Sequence, residues 1–244
     1  MPRFFADKEN IFEEKIIITG DDAYHIARSL RMAVGDHVTV SDAEGTDYSC
    51  ILERIRDEEC ECRIVSSEQS VREPKIDISL FMAFPKGDKL ETVVQKAVEL
   101  GASRIVPFES SRCIKRPKAE KVDKQTARLT RIAHEAAKQC GRARLPDVCA
   151  PLSYKEMLAE AQRSDLALFC YEAEHGTTVK QALRSNTYSS IAVIIGSEGG
   201  FSPEEAGAAV DAGCVCVTLG PRILRCETAP DYALSAISYE TELV

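Results

Sequence analysis

Beyond Pro74 the sequence alternates between short apolar runs and longer stretches with helical spacing, and this alternation constrains the fold more than any other feature. Strands are predicted at residues 76–84, 104–108, 165–171, 190–195 and 214–219. Between them, residues 89–100 and 123–140 place apolar side chains on one face at helical spacing. Strands that alternate with helices favour a mostly parallel sheet covered by helices. The sequence therefore predicts an α/β domain over residues 74–244.

The first seventy residues have a different pattern. Short β-branched or alternating runs separated by turn residues predict strands at 15–19, 37–41, 47–55 and 60–66. One short helix is predicted at about residues 21–31. Many short strands with frequent turns favour a small β-barrel. We expect this domain to span residues 1–72, ending at the segment around Pro74.

Composition and the termini exclude several classes of protein. Hydrophobic residues make up 44% and charged residues 29%, which is ordinary for a globular chain. The longest aliphatic run, Ile191–Ile195, is far shorter than the roughly 20 apolar residues that span a bilayer. The first residues have no apolar signal core. We therefore expect a cytoplasmic protein that does not use a membrane.

The ten cysteines are expected to be reduced, because no export signal is present. The pairs Cys60/Cys62 and Cys214/Cys216 have C-x-C spacing, which places both thiols on one face of a strand. This pattern indicates strand packing rather than zinc binding. No metal site is predicted.

Charge is distributed unevenly along the chain. The net charge is −8, but residues 112–144 contain eleven Lys or Arg against three acidic residues, a local charge of +8 that leaves −16 for the remainder. Such asymmetry is typical of polyanion binding. The alternative is a solvated basic helix face. Charge alone leaves the two interpretations open.

The first candidate ligand loop follows the predicted strand at 190–195. It contains three glycines and leads into a helix whose start is specified by Ser202 as N-cap, Pro203 at the first helical position and Glu205 three residues after the cap. Ligands of open α/β sheets bind beyond the carboxyl ends of strands, where this loop falls. It is not a P-loop, because no Gly-Lys-Ser/Thr follows. A tight strand-to-helix turn without a ligand is the alternative.

The second candidate loop, residues 218–231, follows the strand predicted at 214–219. It contains arginine, glutamate and aliphatic residues, a mixture suited to an apolar pocket with a few placed polar groups. Thr228 is the predicted N-cap of the last helix, with Asp231 three residues on. Two strand-end loops of a parallel sheet are able to line one crevice.

Together these loops carry a family resemblance. Gly-Ser-Glu-Gly-Gly-Phe-Ser-x-x-Glu at 196–205 and Leu-Gly-Pro-Arg-Ile-Leu-Arg-x-Glu-Thr-Ala at 219–229 closely resemble the bacterial ribosomal RNA small subunit methyltransferase E family of the SPOUT class. The resemblance spans nearly the whole chain, with further matches at 2–5, 25–31, 95–101, 112–113 and 135–142. Three residues depart from the pattern: Ser197 replaces a proline, Cys226 a threonine and Tyr24 a histidine.

The resemblance implies fold and function beyond what the residue patterns show. It implies a PUA-like RNA-binding domain at the N-terminus, a SPOUT domain with a trefoil knot at the C-terminus, and a homodimer. The implied activity is S-adenosylmethionine-dependent methylation of N3 of a uridine in the 16S rRNA of the 30S ribosomal subunit. The residues implied to bind the cofactor are Gly196, Glu198, Gly199, Gly200, Leu219, Gly220, Ile223, Leu224, Arg225, Thr228 and Ala229.

Methylation of uridine N3 requires loss of its proton, so a cation near O2 or O4 and a carboxylate with a raised pKa are the groups to look for. The candidate cations are Arg3, Arg112 and Arg225, and the candidate carboxylates are Glu198 and Glu227. Each has a structural alternative. Glu198 is equally suited to binding backbone amides, and Arg225 to a salt bridge with Glu227.

The expected RNA contacts combine the basic segment with the N-terminal domain. The predicted RNA-binding residues are Arg3, His25, Arg28, Arg31, Lys115, Arg116, Arg128, Arg131 and Arg142. Two other functions remain open at this point. One is a related SPOUT enzyme that acts on another RNA or on a ribose 2′-oxygen. The other is a non-catalytic RNA-binding or ribosome-assembly protein.

Overall fold

The computed structural model describes residues 1–114 and 119–243, and the chain divides into two compact units. The first unit combines Met1–Glu73 with Ala137–Leu145, and the second combines Pro74–Ala136 with Pro146–Val244. Residues 137–145 therefore group with the N-terminal unit, although they lie within the range 74–244 that the sequence analysis assigned to the second domain.

Five strands form the sheet of the first unit, in the order β1-β3-β4-β5-β2. Its ladders are antiparallel except for the parallel pair β1 and β3. The predicted strands are present, and β1 was not predicted. The helix predicted at 21–31 begins as α1 and continues as a π-helical turn, His25–Ser29. The elements are β1 Arg3–Phe5, β2 Lys15–Thr19, α1 Gly20–Tyr24, β3 His37–Ser41, β4 Thr46–Ile55 and β5 Glu59–Gln69.

Alternate residues of these strands form the core of the first unit. Ile16 and Ile18 of β2 and Cys60 and Cys62 of β5 are buried. The C-x-C pair therefore shares the inner face of its strand, as the spacing predicted. Burial raises the pKa of the Cys62 thiol to about 12, which keeps the thiol protonated and inert at neutral pH.

The second unit confirms the predicted parallel α/β arrangement. Its described strands form a sheet in the order β12-β10-β11-β6-β7-β8, with β9 also paired to β7, and every ladder is parallel. The elements are β6 Asp77–Ala83, α2 Lys89–Glu99, β7 Arg104–Glu109, α3 Val122–Cys140, β8 Asp147–Val148, β9 Leu152–Ser153, α4 Tyr154–Ala161, β10 Leu166–Cys170, α5 Val179–Leu183, β11 Ser190–Ile195, α6 Pro203–Asp211, β12 Val215–Val217 and α7 Thr228–Thr241.

The central strands are apolar because helices cover both faces of the sheet. All five residues of β10 are buried, as are the last five of β11. Continuous apolar runs are expected for strands of such a sheet. These two strands lie side by side, so their carboxyl ends emerge together at one edge. Among the described residues, no helix is both long and apolar enough to cross a membrane.

The predicted N-terminal cap is present in helix α6 and absent in helix α7. Ser202 and Glu205 form the predicted capping box at the start of α6. Thr228 is not the N-cap that the sequence predicted, because Glu227 before it already has helical backbone angles (φ −82°, ψ −21°). The amides of Thr228 and Ala229 donate instead to the carbonyl of Arg225, at 2.8 and 2.9 Å. The carbonyl of the preceding loop thus takes the place of a side-chain cap.

Candidate active site

A cavity of about 910 Å³ opens at the carboxyl edge of the parallel sheet in the second unit. Its walls come from the segments that follow β10, β11 and β12, which are neighbours in the sheet, and from the first residues of α2 and α7. This volume is typical of small-molecule sites, about 300–1,000 Å³. The edge is also where parallel α/β sheets bind their ligands.

The loop after β11 is held in place by Phe201. This side chain is 1% exposed, and its ring centroid lies 4.2 Å from that of Phe169 on β10 and 6.3 Å from that of Phe108 on β7. Phe201 therefore fastens the end of the glycine loop to the core of the sheet. The short loop from Gly196 to Gly200 is consequently anchored at its end, next to the carboxyl end of β11.

Gly200 shows why this loop needs glycine. Its φ is +63°, in the left-handed region, and a Cβ at this position would lie 2.1 Å from Oε1 of Glu172. Another residue here would be strained by the positive φ and would displace the flexible end of the Glu172 side chain. The close approach brings Glu172, from the segment after β10, into the wall of the same cavity.

The loop after β12 contributes the most exposed part of the wall. Ile223 is 89% exposed and Arg225 is exposed, whereas Leu219 and Leu224 are partly buried. Gly220 has a φ of +103°, and a Cβ there would meet no protein atom within 4 Å. A larger residue at Gly220 therefore strains the backbone, and its side chain has space to project beyond the loop.

Lys89 connects two loops of the cavity. Its ammonium nitrogen lies 3.0 Å from Oε1 of Glu198, in the loop after β11, and 3.1 Å from Oε2 of Glu227, just before α7. Hydrogen bonds to both carboxylates raise the pKa of Lys89. The backbone amide of Glu227 and the ammonium of Lys89 lower the pKa of Glu227 to about 2. At neutral pH all three groups are therefore charged, and they leave one net negative charge.

Glu198 has a pKa below its ordinary value. Partial burial alone raises this pKa, but the hydrogen bonds from its own amide, from Lys89 and from the Lys86 amide outweigh that effect. The Lys86 amide lies 3.1 and 3.2 Å from the two carboxylate oxygens. The raised pKa expected of a general base is thus absent, and the amide-binding alternative is the one observed. The salt bridge expected between Arg225 and Glu227 is replaced by the pair of Glu227 with Lys89.

The three candidate arginines are in different surroundings. Arg112, in the loop after β7, donates from Nη1 to the carbonyl of Gly199 at 2.9 Å, beside the cavity. Arg225 lines the cavity itself. Arg3 lies in the first unit, where its side chain is 8% exposed and forms a two-pronged ion pair with Asp47. Its guanidinium also donates to the carbonyl of Arg142 at 3.4 Å, so Arg3 is engaged within the first unit, and its contact with uracil or RNA stays a prediction.

The predicted RNA-binding residues separate in the same way. His25 and Arg31 are exposed, and Arg28 is exposed while paired with Asp57. Arg131 is exposed, and Arg128 is 61% exposed in a pair with Glu91. Two further residues predicted to bind RNA lie outside the described part of the chain, namely Lys115 and Arg116.

Arg142 is a correction to the sequence prediction. It is 4% exposed, and its guanidinium binds Glu73 at 2.8 Å. The basic face predicted for α3 and its extension therefore does not include Arg142. Its charge is used inside the first unit rather than presented to RNA.

Sequence reasoning missed part of the cavity wall. Lys89, Tyr171, Glu172 and His175 line the cavity but were not predicted to do so. The signal that identifies them was available. Tyr171 ends the apolar run at 165–171, Glu172 and His175 follow it, and Lys89 opens the helix after the run at 76–84. The carboxyl ends of all parallel strands meet at one edge. The residues that end or follow the other predicted strands are therefore also candidates for the cavity wall, in addition to the loops after 190–195 and 214–219.

Comparison with known proteins is consistent with this geometry. The RNA methyltransferase domain family matches residues 72–238, and the RNA methyltransferase PUA domain family matches residues 18–65. The chain is 35% identical to Ribosomal RNA small subunit methyltransferase E of Bacillus subtilis (strain 168), over 100% of this chain and 98% of that protein. The protein of the same name from Synechocystis is 32% identical, over 97% and 77%.

A solved structure extends the comparison to the fold. The crystal structure of Ribosomal RNA small subunit methyltransferase E from Neisseria gonorrhoeae bound to S-adenosyl methionine superimposes with a TM-score of 0.87, at 28% identity and over 98% of both chains. Together with the matched domain families, these similarities define an RNA methyltransferase. More narrowly, the chain belongs to the ribosomal RNA small subunit methyltransferase E family.

Proposed function

We propose that this protein transfers a methyl group from S-adenosylmethionine to N3 of a specific uridine in 16S rRNA of the small ribosomal subunit. Relatives across the full chain bear the name of a small-subunit rRNA methyltransferase, and one of them is solved with S-adenosyl methionine bound. The observation in this chain that carries the proposal is the cavity at the carboxyl edge of its sheet, with its ionised carboxylates.

The cavity fits a bound S-adenosylmethionine. Ser197 is 6% exposed and lines the cavity, and its hydroxyl has no hydrogen-bond partner among the described residues. A buried hydroxyl without a partner is costly, so a polar ligand group there relieves the cost. The cluster of Lys89, Glu198 and Glu227 carries one net negative charge, which favours a sulfonium group placed beside it, while Arg222 and Arg225 also line the cavity. Glu172 adds a further carboxylate to the wall.

Backbone and apolar groups complete the proposed cofactor site. The glycine loop that contains Gly196, Gly199 and Gly200 allows close approach, and Leu219, Leu224 and Ala229 supply apolar surface to the lining. The remaining proposed contacts are Glu198, Gly220, Ile223, Arg225 and Thr228. When bound, S-adenosylmethionine supplies an activated methyl group. The residues of the chain orient it and keep water away from it.

The charged residues divide into two proposed roles. Glu198 and Glu227 stay ionised at neutral pH, so they favour a cationic ligand and are poor proton acceptors. Of the candidate arginines, Arg225 lines the cavity and Arg112 lies beside it. We assign to them the stabilisation of the negative charge that develops on the uracil oxygens as N3 loses its proton. Arg225 is the primary candidate because it lines the cavity.

RNA binding is assigned to both units. We propose that the first unit acts as a PUA-like RNA-binding domain through His25, Arg28 and Arg31. Arg128 and Arg131 on α3 contact RNA phosphates. Lys115 and Arg116 remain predictions from the sequence. A homodimer with a trefoil knot in each chain, acting in the cytoplasm, also remains an expectation from the family resemblance. Analytical ultracentrifugation measures the oligomeric state directly.

Methyl transfer to 30S subunits that lack the modification tests the proposed function. The purified protein, labelled S-adenosylmethionine and these subunits are incubated, and the modified nucleoside is identified by mass spectrometry. We expect 3-methyluridine at one position of 16S rRNA. A 2′-O-methylated nucleoside, or methylation of a different RNA only, would contradict the proposed N3 methylation of 16S rRNA and favour a related SPOUT activity. Binding of RNA with no heat of S-adenosylmethionine binding would favour a non-catalytic protein.

A further inference from the structure

Glu205 makes contacts that its role as a helix cap does not require. Its side chain accepts a hydrogen bond from the amide of Ser202 at 2.9 Å, which completes the capping box of α6. The same carboxylate also accepts from the amide of Ser111 and from the hydroxyl of Ser111, each at 2.8 Å. Ser111 belongs to a different loop, the one after β7. Glu205 thus connects two loops at the carboxyl edge of the sheet.

Two other capping boxes among the described residues of the second unit show that this connection is not part of capping. Glu156 in α4 and Gln181 in α5 occupy the same position in their boxes, and both are exposed. Their side chains bond within their own boxes, to Ser153 and Thr178. Glu205, by contrast, is 7% exposed. Burying a carboxylate is costly unless it is well bonded, and the bonds from Ser111 offset that cost.

The residue that follows Ser111 is Arg112, one of the two cations assigned to the uracil. Its guanidinium donates to the Gly199 carbonyl at 2.9 Å, and a Cβ on Gly199 would lie 3.0 Å from the Cβ of Arg112. The loop after β7 is therefore attached at two points, to the start of α6 and to the loop after β11. Ser111 is held by the carboxylate of Glu205, and Arg112 rests on the wall of the cavity.

The start of α6 is itself rigid. The hydroxyl of Tyr154 on α4 donates to the carbonyl of Glu205 at 2.7 Å, and the neighbouring Phe201 is packed in the aromatic cluster of the sheet. Glu205 is consequently a fixed point against which the exposed loop of Arg112 is set. A flexible arginine gains most as an anion stabiliser when its backbone is held in advance.

We propose that Glu205 is a positioning residue that holds the Ser111–Arg112 loop so that the guanidinium of Arg112 stays at the Gly199 wall of the cavity. This inference rests on the proposed function, because it gives Arg112 a part in the methylation reaction. It goes beyond helix capping, since it predicts an effect on turnover that loss of the cap alone does not produce.

The variant Glu205→Gln tests the proposal with little change in shape. A glutamine offers one acceptor oxygen and one donor group, so it is unable to accept from both the Ser111 and the Ser202 amides. We expect kcat to fall about 10-fold or more, because small displacements of a placed group have large effects on rate. The KM for S-adenosylmethionine is expected to stay within about three-fold of wild type, as expected for loss of an interaction made in the transition state.

Ser202→Ala is the matched control. It removes the hydroxyl that caps the amide of Glu205 but leaves the carboxylate bonded to Ser111. We expect its kcat to match that of the wild type. Equal losses in Ser202→Ala and Glu205→Gln would reduce Glu205 to a capping residue and overturn the proposal.

Coupling to Arg112 is measured by a double-mutant cycle. Arg112→Ala is expected to lower kcat, and adding Glu205→Gln to it is expected to lower kcat little further, because both changes disable the same group. Additive losses in the double variant would show that Glu205 acts by another route. A wild-type rate in Arg112→Ala would show that Arg112 does not contribute to methyl transfer, and this result would overturn the proposed positioning role of Glu205. If Glu205→Gln fails to fold, Ser111→Ala replaces it in the cycle, with a smaller loss expected.

Hydrogen–deuterium exchange separates this proposal from the proposed function. The Ser111 amide donates to Glu205, so a peptide containing residues 110–113 is expected to exchange faster in Glu205→Gln than in the wild type or in Ser202→Ala. Unchanged exchange there would reject the anchoring. An inactive wild-type protein with this exchange pattern would instead reject the proposed methylation and leave the anchoring in place.

Discussion

Ion pairs are nearly buried in the first unit and partly exposed around the cavity. Both kinds join a basic side chain to a carboxylate, but they differ in their contribution to stability and in their access to a ligand. Arg142 and Glu73 have side chains 5% and 11% exposed, whereas Lys89 and Glu198 at the cavity are 36% and 25% exposed. A buried charge that loses its partner is strongly destabilising, while an exposed pair contributes little to stability. The first kind holds a fold together, and the second remains accessible to a ligand.

Basic residues that cluster in the sequence do not necessarily form a basic surface in the folded protein. Residues 112–144 carry a charge of +8 when only sequence neighbours are counted. Within the described part of this segment, distant carboxylates pair with several basic residues: Arg128 binds Glu91, Lys138 binds Asp22, and Arg142 binds Glu73. The basic surface offered to RNA is accordingly smaller than the sequence indicates.

Breaking a buried pair gives the largest expected effect. Arg142→Met leaves the nearly buried Glu73 with only the amides of Ala143 and Arg144 as donors, so we expect the free energy of unfolding to fall by about 3 kcal/mol. Arg128→Met removes a partly exposed pair, and its expected effect is about 0–1 kcal/mol. Urea unfolding of both variants measures the difference. Similar losses in the two proteins would mean that burial does not distinguish these pairs.

Arg225 tests the cavity side of the comparison by its effect on rate. Lysine keeps the charge but not the planar fork of donors, so Arg225→Lys is expected to slow methyl transfer by about 10²-fold, as for removal of one placed donor. Binding of RNA and cofactor should change less than the rate. Single-turnover rates at saturating substrates give the result. A rate within a few-fold of wild type would make Arg225 a structural residue of the loop and leave Arg112 as the cation.

The exposed basic face of α3 is tested by salt dependence. Reversing Arg128 and Arg131 to Glu should weaken RNA binding and lower the slope of log K against log salt by about one to two, because fewer counterions are released. Binding of S-adenosylmethionine should persist. Arg163→Glu with Arg184→Glu is the control, since it changes the net charge equally outside this segment. Equal slopes in the wild type and the Arg128/Arg131 variant would identify the basic face as merely solvated.

The smallest expected effect is the pH dependence that Glu227 contributes. Its folded-state pKa of about 2 lies below the ordinary 4.5. Its contribution to stability is therefore complete above about pH 4.5 and disappears as the pH falls towards 2. Solvent screening keeps this contribution small. Unfolding free energies measured across this range should fall less steeply with acidification in Glu227→Gln, and parallel curves would show that the pair with Lys89 adds nothing.

Much of the fold was predictable because its signals are local. The runs at 15–19, 37–41 and 190–195 predicted strands with the bounds observed. The glycine, proline and cap residues around 196–205 predicted the strand, loop and helix in the right order. The prediction of Thr228 as N-cap was wrong. The first amides of α7 donate to the carbonyl of Arg225, and a backbone carbonyl leaves no signal in the pattern of side chains.

Sequence alone determined the parallel α/β class of the second unit, five of its strands and the two loops at its carboxyl edge, because apolar periodicity and turn residues act between neighbours in the chain. Only the tertiary structure decided the role of each charged residue. The nearly buried side chains of Arg3 and Arg142 pair with Asp47 and Glu73. Lys89 comes to lie between Glu198 and Glu227, more than a hundred positions away. Ion pairing depends on distance in space, and folding sets that distance independently of separation along the sequence.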